Sequence, residues 1–302
     1  MNAPTSRALL ALPFAALLAA AAPRSSRQDR SEVVVTDTLV AGSVHMLTGA
    51  GGNIGLSVGA DGLLMIDDQF EDLAPKIRAA IEHAAGSAVS PRWLVNTHFH
   101  GDHTGGNAVF GAAATVVAHD NVRARLLAPK SGKPMAAPGL PLVTFSEQCS
   151  LHVNGEDVRL IHMPRCHTDG DTVAHFRASN VWHLGDLFFN GRFPFVDLGA
   201  GGSVVGLERA LRALLAEIPG DAKLIPGHGA LATRTDLERY HAMIADSIAL
   251  VTDALEHGKG MDEIVGDATL AKYDAWSWSF ISRDTFTKTL VNELSASVTE
   301  RR

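Results

Sequence analysis

The sequence predicts a layered α/β protein in which short strands and amphipathic helices alternate twice along the chain. Three observations carry this. Apolar or alternating runs of strand length are bounded by Gly, Asn and Asp, apolar faces of helical period run over residues 71–86 and 203–219, and polar residues close several apolar strands. With 302 residues and 46% apolar composition the chain can fill a sizeable core, which excludes global disorder.

The elements follow in order. MNAPTSRALLALPFAALLAAAAP carries one arginine, an apolar run of about fifteen residues and then small residues, the pattern of a secretory leader over residues 1–22. A cut after Ala21 is preferred, because it keeps Pro23 away from the cleaved bond. The run is shorter than the ~20 residues a membrane span needs. No cysteine follows it for lipid attachment, and nothing from Val40 onward is apolar and long enough to span a bilayer. The expected mature protein is therefore soluble and periplasmic or secreted. The net charge of −7 becomes −8 without Arg7, with 25 basic residues facing 33 acidic ones, which argues against nucleic acid as a partner.

After a polar linker over residues 23–31, SEVVVTDTLVAGSVHMLTG and GNIGLSVGADGLLMIDD read as short antiparallel strands broken by glycine-rich turns. EDLAPKIRAAIEHAAG follows, with Leu73, Ile77, Ile81 and Ala84 on one helix face and Gly86 as its stop. PRWLV and ATVVAH are the next strands. Asn154-Gly155 is a two-residue hairpin turn that sets Val153 opposite Glu156 and Cys149 opposite Leu160. Cys166 lies well beyond that pairing, so the two cysteines are expected as free thiols even after export. DTVAHFRASNVWHLGDLFF gives two more strands, SVVGLERALRALLAEIP a helix with Leu207, Leu211, Leu214, Leu215 and Ile218 on one face, and AKLIPGHG a strand ending in a loop. The tail is predicted as a helical extension over residues 233–302. Thr235 and Glu238 are read there as a capping box and Ser282 as a second cap, and YDAWSWSF as core packing.

The chemistry concentrates in NTHFHGDHTGG. In an extended segment side chains two apart point the same way, so His98 and His100 can reach one ion while Phe99 turns away; after Gly101 the chain can turn and present Asp102 and His103 to a neighbouring point. Three later apolar strands also end in polar residues, His167 in MPRCHTDGD, Asp186 in VWHLGDLFF and His228 in KLIPGHG. Loops gathered at one sheet edge are where sites are built.

THFHGDHTGGN, CHTDGD, LGDLFF and IPGHG, in that order, resemble the successive metal-binding motifs of the metallo-β-lactamase-fold hydrolases over residues 33–230. The resemblance implies a four-layer αββα sandwich, with a catalytic domain over residues 32–232 and a shallow site along one edge. It implies two zinc ions per chain, one held by His98, His100 and His167, the other by Asp102, His103 and His228, with Asp186 bridging both or capping the second. Such a pair can lower the pKa of a shared water towards ~7 for attack on a carbonyl, with Asp102 both ligating and orienting the nucleophile. Asp67 and Asp68 match an acidic family position that buttresses the His98 loop. The other nine histidines are read as structural, with His119 and His183 the candidates for supporting a ligand.

The layout around CHTDGDTVAHF resembles exported zinc β-lactamases, and the departure is at Asp186. The commonest lactamases have a zinc-binding cysteine there and a carboxylate-gripping lysine three residues later, where this chain has Phe189; Arg192 is the nearest cation. An aspartate is instead the pattern of glyoxalase II-like thioesterases, lactonases and exported members associated with quinoprotein systems. Arg192 and Ser203 are the candidate substrate contacts. The expected activity is hydrolysis of a β-lactam-like amide, ester or thioester, with β-lactams the first class to test. A mono-iron persulfide dioxygenase and a non-catalytic, metal-stabilised periplasmic binding protein are the readings from other classes, and metal analysis separates the first of them from a dizinc hydrolase.

Overall fold

The computed structural model describes residues 29–130 and 132–300, so the leader expected over residues 1–22 lies outside the described residues. The chain divides into Met1–Glu32 and a compact unit, Val33–Arg302. In the described part of the first, the Ser31 N–H donates to the Asp29 carboxylate at 2.9 Å.

In the compact unit, β1 (Thr36–Ala41), β2 (Val44–Thr48), β3 (Ile54–Gly59) and β4 (Gly62–Ile66) form an antiparallel meander. Helix α1 (Ala74–Ala85) follows and stops at Gly86, whose φ of 68° is the left-handed conformation that glycine adopts without strain. Next come β5 (Pro91–Val95), α2 (Gly101–Thr104), α3 (Asn107–Phe110), β6 (Thr115–His119), α4 (Asp120–Leu127) and β7 (Val143–Phe145), with β4 to β7 parallel. These strands make one seven-stranded sheet in sequence order.

The second sheet has the order β13-β12-β11-β10-β9-β8. It is built from β8 (Gln148–Val153), β9 (Glu156–His162), β10 (Thr172–Phe176), β11 (Val181–Phe189), β12 (Lys223–His228) and β13 (Ala232–Thr233). Only β11 and β12 run parallel, because α5 (Val204–Glu217) carries the chain back between them. Cys149 pairs with Leu160 and Val153 with Glu156, the register the Asn154-Gly155 turn dictates, and both cysteines are free thiols.

Three apolar cores define the layers. Met46, Ile66, Val95 and Val117 of the first sheet pack on Leu160, Phe176 and Ile225 of the second, so the sheets lie face to face. The other face of the first sheet buries Leu56, Met65 and Leu94 against Ile77 and Ile81 of α1. The other face of the second buries Trp182, Leu184 and Phe188 against Leu207 and Leu211 of α5 and against the C-terminal helices. The result is an αββα sandwich.

Those helices are α6 (Arg234–Glu256), α7 (Met261–Gly266) and α8 (Arg283–Glu300). Leu237, Tyr240, Ile244, Phe286 and Leu290 belong to the same core as β11 and α5. The capping box is not at Thr235 and Glu238: Thr233 and Asp236 form it, with the Thr233 N–H donating to Asp236 Oδ2 at 2.9 Å. Pairing of Lys223 with Thr233 keeps the chain extended only to Thr233, so the helix starts two residues earlier, and Glu238 pairs with Arg234 instead. Ser282 accepts the Thr285 N–H at the start of α8, as its sequence position predicts. Among the described residues no helix is long and apolar enough to cross a membrane.

Candidate metal centre

The site forms beyond the ends of β4 and β5, at His228 where β12 ends and in the β9–β10 connection that carries His167, while Asp186 lies inside β11 rather than at its end, because the strand continues to Phe189. Beyond β4 the chain turns sharply, with Asp67 at φ 61° and Gln69 at φ 56°. Two buried carboxylates project from this turn. Asp67 accepts the Thr97 N–H at 2.8 Å and the Thr97 hydroxyl at 2.7 Å, and Asp68 accepts the Gly106 N–H at 2.8 Å. The histidine loop is thereby held at both ends. A reciprocal amide pair between Asn96 and Asn107, 2.9 Å in each direction, ties it to α3.

On that frame the predicted residues converge into two groups. His98, His100, His167 and Asp186 form one, and Asp102, His103 and His228 the other, each with its donor atoms within 4.8 Å of one another. His100 Nδ1 lies 3.1 Å from His98 Nε2 and 2.8 Å from His167 Nε2. Asp186 stands between the groups. Its Oδ2 is 3.4 Å from His167 Nε2 and 3.8 Å from His98 Nε2, while its Oδ1 is 3.1 Å from His103 Nε2 and 3.4 Å from His228 Nε2. Asp102 Oδ2 completes the second group, 3.3 Å from His228 Nε2 and 3.7 Å from His103 Nε2.

The outward nitrogen of each ring decides what the inward one can do. His167 Nδ1 donates to the Phe195 carbonyl at 2.7 Å, and His103 Nδ1 to Asp67 Oδ2 at 2.7 Å. His100 Nε2 donates to Asp197 Oδ2 at 3.1 Å. The Thr97 hydroxyl gives its proton to Asp67, so at 3.1 Å it accepts from His98 Nδ1. Four rings are thus fixed with a lone pair turned inward, the arrangement that supporting hydrogen bonds give to metal ligands.

The donor set fits metal ions. Ligands around a tetrahedral zinc with ~2.0–2.1 Å bonds lie roughly 3.3–3.4 Å apart, a spacing the separations above bracket. His103 Nε2 and Asp186 Oδ1, 3.1 Å apart, are buried and make no well-aligned hydrogen bond among the described residues. Polar atoms so placed cost stability unless something satisfies them.

Electrostatics agree. Burial opposes charge on Asp186, yet His103, His228 and His167 outweigh it and hold the carboxyl well below the usual range. Burial likewise opposes ionisation of Asp102, but His103 and His228 bring it down to about 2. Both carboxylates are ionised at neutral pH and demand a compensating positive charge, from metal or from protons on His103 and His228. Despite burial, Asp186, Asp102 and Asp67 raise His103 well above its ordinary value, and Asp186 and Asp102 raise His228 to about 9. Burial lowers His98 strongly and His167 to about 4, so these two are neutral lone-pair donors.

Two glycines make room for these groups. A Cβ on Gly227 would stand 2.0 Å from Asp186 Oδ1, and one on Gly52 would stand 2.1 Å from the His103 ring.

Other candidates lie elsewhere. Ser203 caps α5: its hydroxyl accepts the Gly206 N–H at 2.8 Å and donates to Glu293 at 2.5 Å. His119 caps α4 and stacks on His162, and His183 Nε2 lies against the Asn53 carbonyl, so neither supports a ligand side chain directly. Arg192 stands over the Trp278 ring at 5.2 Å, and the same ring lies 5.9 Å from the His228 ring. YDAWSWSF is not simply core: Trp278 is half-buried beside His228 and Phe280 is 61% exposed. The supports at Asp197, Thr97 and the Phe195 carbonyl carry no signature in the sequence. Nothing in PFVDLG marks Asp197 as the partner of a histidine 97 residues away.

An αββα sandwich carrying two histidine–carboxylate clusters where its strands end is the architecture of a class of metal-dependent hydrolases. This chain belongs to the metallo-beta-lactamase superfamily, whose family profile matches residues 47–230. It is 28% identical to a hydroxyacylglutathione hydrolase of Anaeromyxobacter dehalogenans (strain 2CP-C) over 189 residues, 59% of this chain and 67% of that protein. The fold matches a metallo-beta-lactamase from Pontibacter korlensis at a TM-score of 0.59 and 17% identity, covering 70% of this chain and 99% of that one. It also matches the sec-alkylsulfatase Pisa1 from Pseudomonas sp. at a TM-score of 0.67 and 16% identity, covering 86% of this chain and 50% of that one.

Proposed function

We propose that this chain is a dinuclear zinc hydrolase acting on carbonyl compounds: esters, thioesters and β-lactam-like amides. The observation that carries the reading is Asp186, whose two oxygens face opposite histidine groups, so that one carboxylate would serve both groups if each held an ion. His98, His100 and His167 would hold one ion and Asp102, His103 and His228 the other. Zinc bound there supplies Lewis acidity and a water whose pKa is lowered towards ~7.

The chain's own residues do the rest. Asp102 has the most exposed side chain of the set, at 30%, and its carboxylate is ionised at neutral pH, so it can accept a hydrogen bond from an attacking water and orient it. The bond from His100 to Asp197 and that from His167 to the Phe195 carbonyl hold their rings still while a substrate enters. The name of the Anaeromyxobacter relative supports thioesters as a substrate class, and those of the structural neighbours leave β-lactams and sulfate esters to be tried. The apolar leader supports export, which N-terminal sequencing of protein from a periplasmic fraction would test by finding the chain begun near residue 22.

Metal analysis of the purified protein, followed by a panel of a chromogenic cephalosporin, a lactone, a hydroxyacylglutathione thioester, an aryl ester and a secondary alkyl sulfate, tests the proposal. Two zinc ions per chain and turnover of a carbonyl substrate that disappears in Asp102→Ala are expected. One iron per chain, or no carbonyl turnover at millimolar concentration, overturns it.

A further inference from the structure

The segment between α7 and α8 closes one side of the metal centre with aromatic rings. Trp278 lies 5.9 Å from His228 of the second group, Phe280 5.6 Å from Trp278, Phe195 5.4 Å from Phe280, and His100 of the first group 5.6 Å from Phe195. The four contacts make a continuous apolar arc from one histidine group to the other. It is fixed rather than loose. The Trp278 indole N–H donates to the Phe193 carbonyl at 3.0 Å, the Phe193 N–H donates to the Trp276 carbonyl at 2.8 Å, and the Trp278 N–H to the Ile281 carbonyl at 3.0 Å.

Phe280 is 61% exposed at the rim of this arc, a large apolar surface that the fold itself does not use. The half-buried Arg192 guanidinium stands 5.2 Å from the centre of the Trp278 ring and has no carboxylate or carbonyl partner among the described residues. An aromatic rim with an unpaired cation at its edge matches a flat apolar group that carries an anion.

We propose that Trp278 and Phe280 form the substrate-specificity wall of this site and that the substrate is a carbonyl compound with an aromatic or similarly flat apolar acyl group and a carboxylate, the carboxylate pairing with Arg192. This rests on the hydrolase reading for the bond that is cleaved, but not for the binding of the acyl group. The C-terminal helices thereby act in recognition, by holding the wall in place.

Binding and turnover test it separately. The protein with its metal content as purified should bind 4-phenylbutyrate at least tenfold more tightly than butyrate by calorimetry, and Trp278→Ala and Phe280→Ala should each erase most of that preference. Arg192→Gln should weaken both probes together. In the zinc-loaded protein, Trp278→Ala should lower kcat/KM for phenylacetyl esters at least tenfold more than for acetyl esters with zinc content unchanged, and Trp278→Phe should restore most of the difference. Equal binding of the two probes by the wild type, or equal losses for both esters, overturns the proposal. Wild-type protein that shows the binding preference but cleaves no carbonyl compound would remove the hydrolase reading and leave the wall standing.

Discussion

Asp67 and His103, 36 residues apart and both fully buried, meet through Oδ2 and Nδ1 at 2.7 Å. The same carboxylate holds Thr97, and through the Thr97 hydroxyl it sets the tautomer of His98. One side chain beneath the site therefore orients a histidine in each group. Asp67→Asn should lower zinc affinity about 10–100-fold, as loss of such supports does in other metal sites. Chelator competition measures this, and affinities equal to wild type would show that Asp67 serves the loop alone.

Asp186 and Asp102 should differ in kind. Asp102 faces only the second group, so Asp102→Ala should retain one tightly bound ion per chain, whereas Asp186→Ala should weaken both. Metal content after dialysis against a weak chelator reads this directly. Equal retention by the two variants would mean that Asp186 does not bridge.

A pH effect is expected at His175 of β10, which belongs to neither histidine group. Burial, helped by Arg159 and Arg177, pushes His175 down to about 4, below the ordinary histidine value near ~6.5. Because the folded value is the lower one, the unfolded chain takes up this proton first, and stability is lost as pH falls from about 6.5 to about 4. The ring stacks on Trp182 at 3.7 Å, and His175→Phe keeps the stack while removing the titration. With the group only half buried, the variant should regain about 1 kcal/mol at pH 4.5 relative to pH 7. Urea unfolding in the presence of chelator measures it, and an unchanged pH dependence would contradict it.

Glu293 of α8 accepts the Ser203 hydroxyl at 2.5 Å and the Val204 N–H at 2.6 Å, closing the start of α5 from another helix. Glu293→Ala leaves those donors without their acceptor and should cost about 1–3 kcal/mol. That is a fall of several degrees in thermal midpoint for a unit of this size. Glu293→Gln should recover part of the loss; no shift in either variant would mean that water replaces the carboxylate freely.

Local signals made much of this legible. Period-2 and period-3.6 runs place the strands and helices, Asn154-Gly155 sets a hairpin register to the residue, and the His-x-His-x-Asp-His spacing marks the centre of the site. The misses are long-range or compete with stronger pairing. Asp197 reaches His100 only after folding, Ser203 looked free but has a cap to form, and Thr235 lost its cap to the strand pairing that ends at Thr233. Trp278 and Phe280 read as core because apolar composition does not say which face of a segment meets solvent.

The shared core of β11, α5, α6 and α8 makes the end of the family match, at residue 230, a poor place to divide the molecule. A chain stopped there would strip Leu207, Leu211 and Phe188 of their cover and would lose the Trp276 carbonyl and Trp278 indole that tether the loop at Phe193. For grafting or trimming, the motifs and the last seventy residues travel as one piece, because the tail supplies part of the core on which β11 and α5 rest.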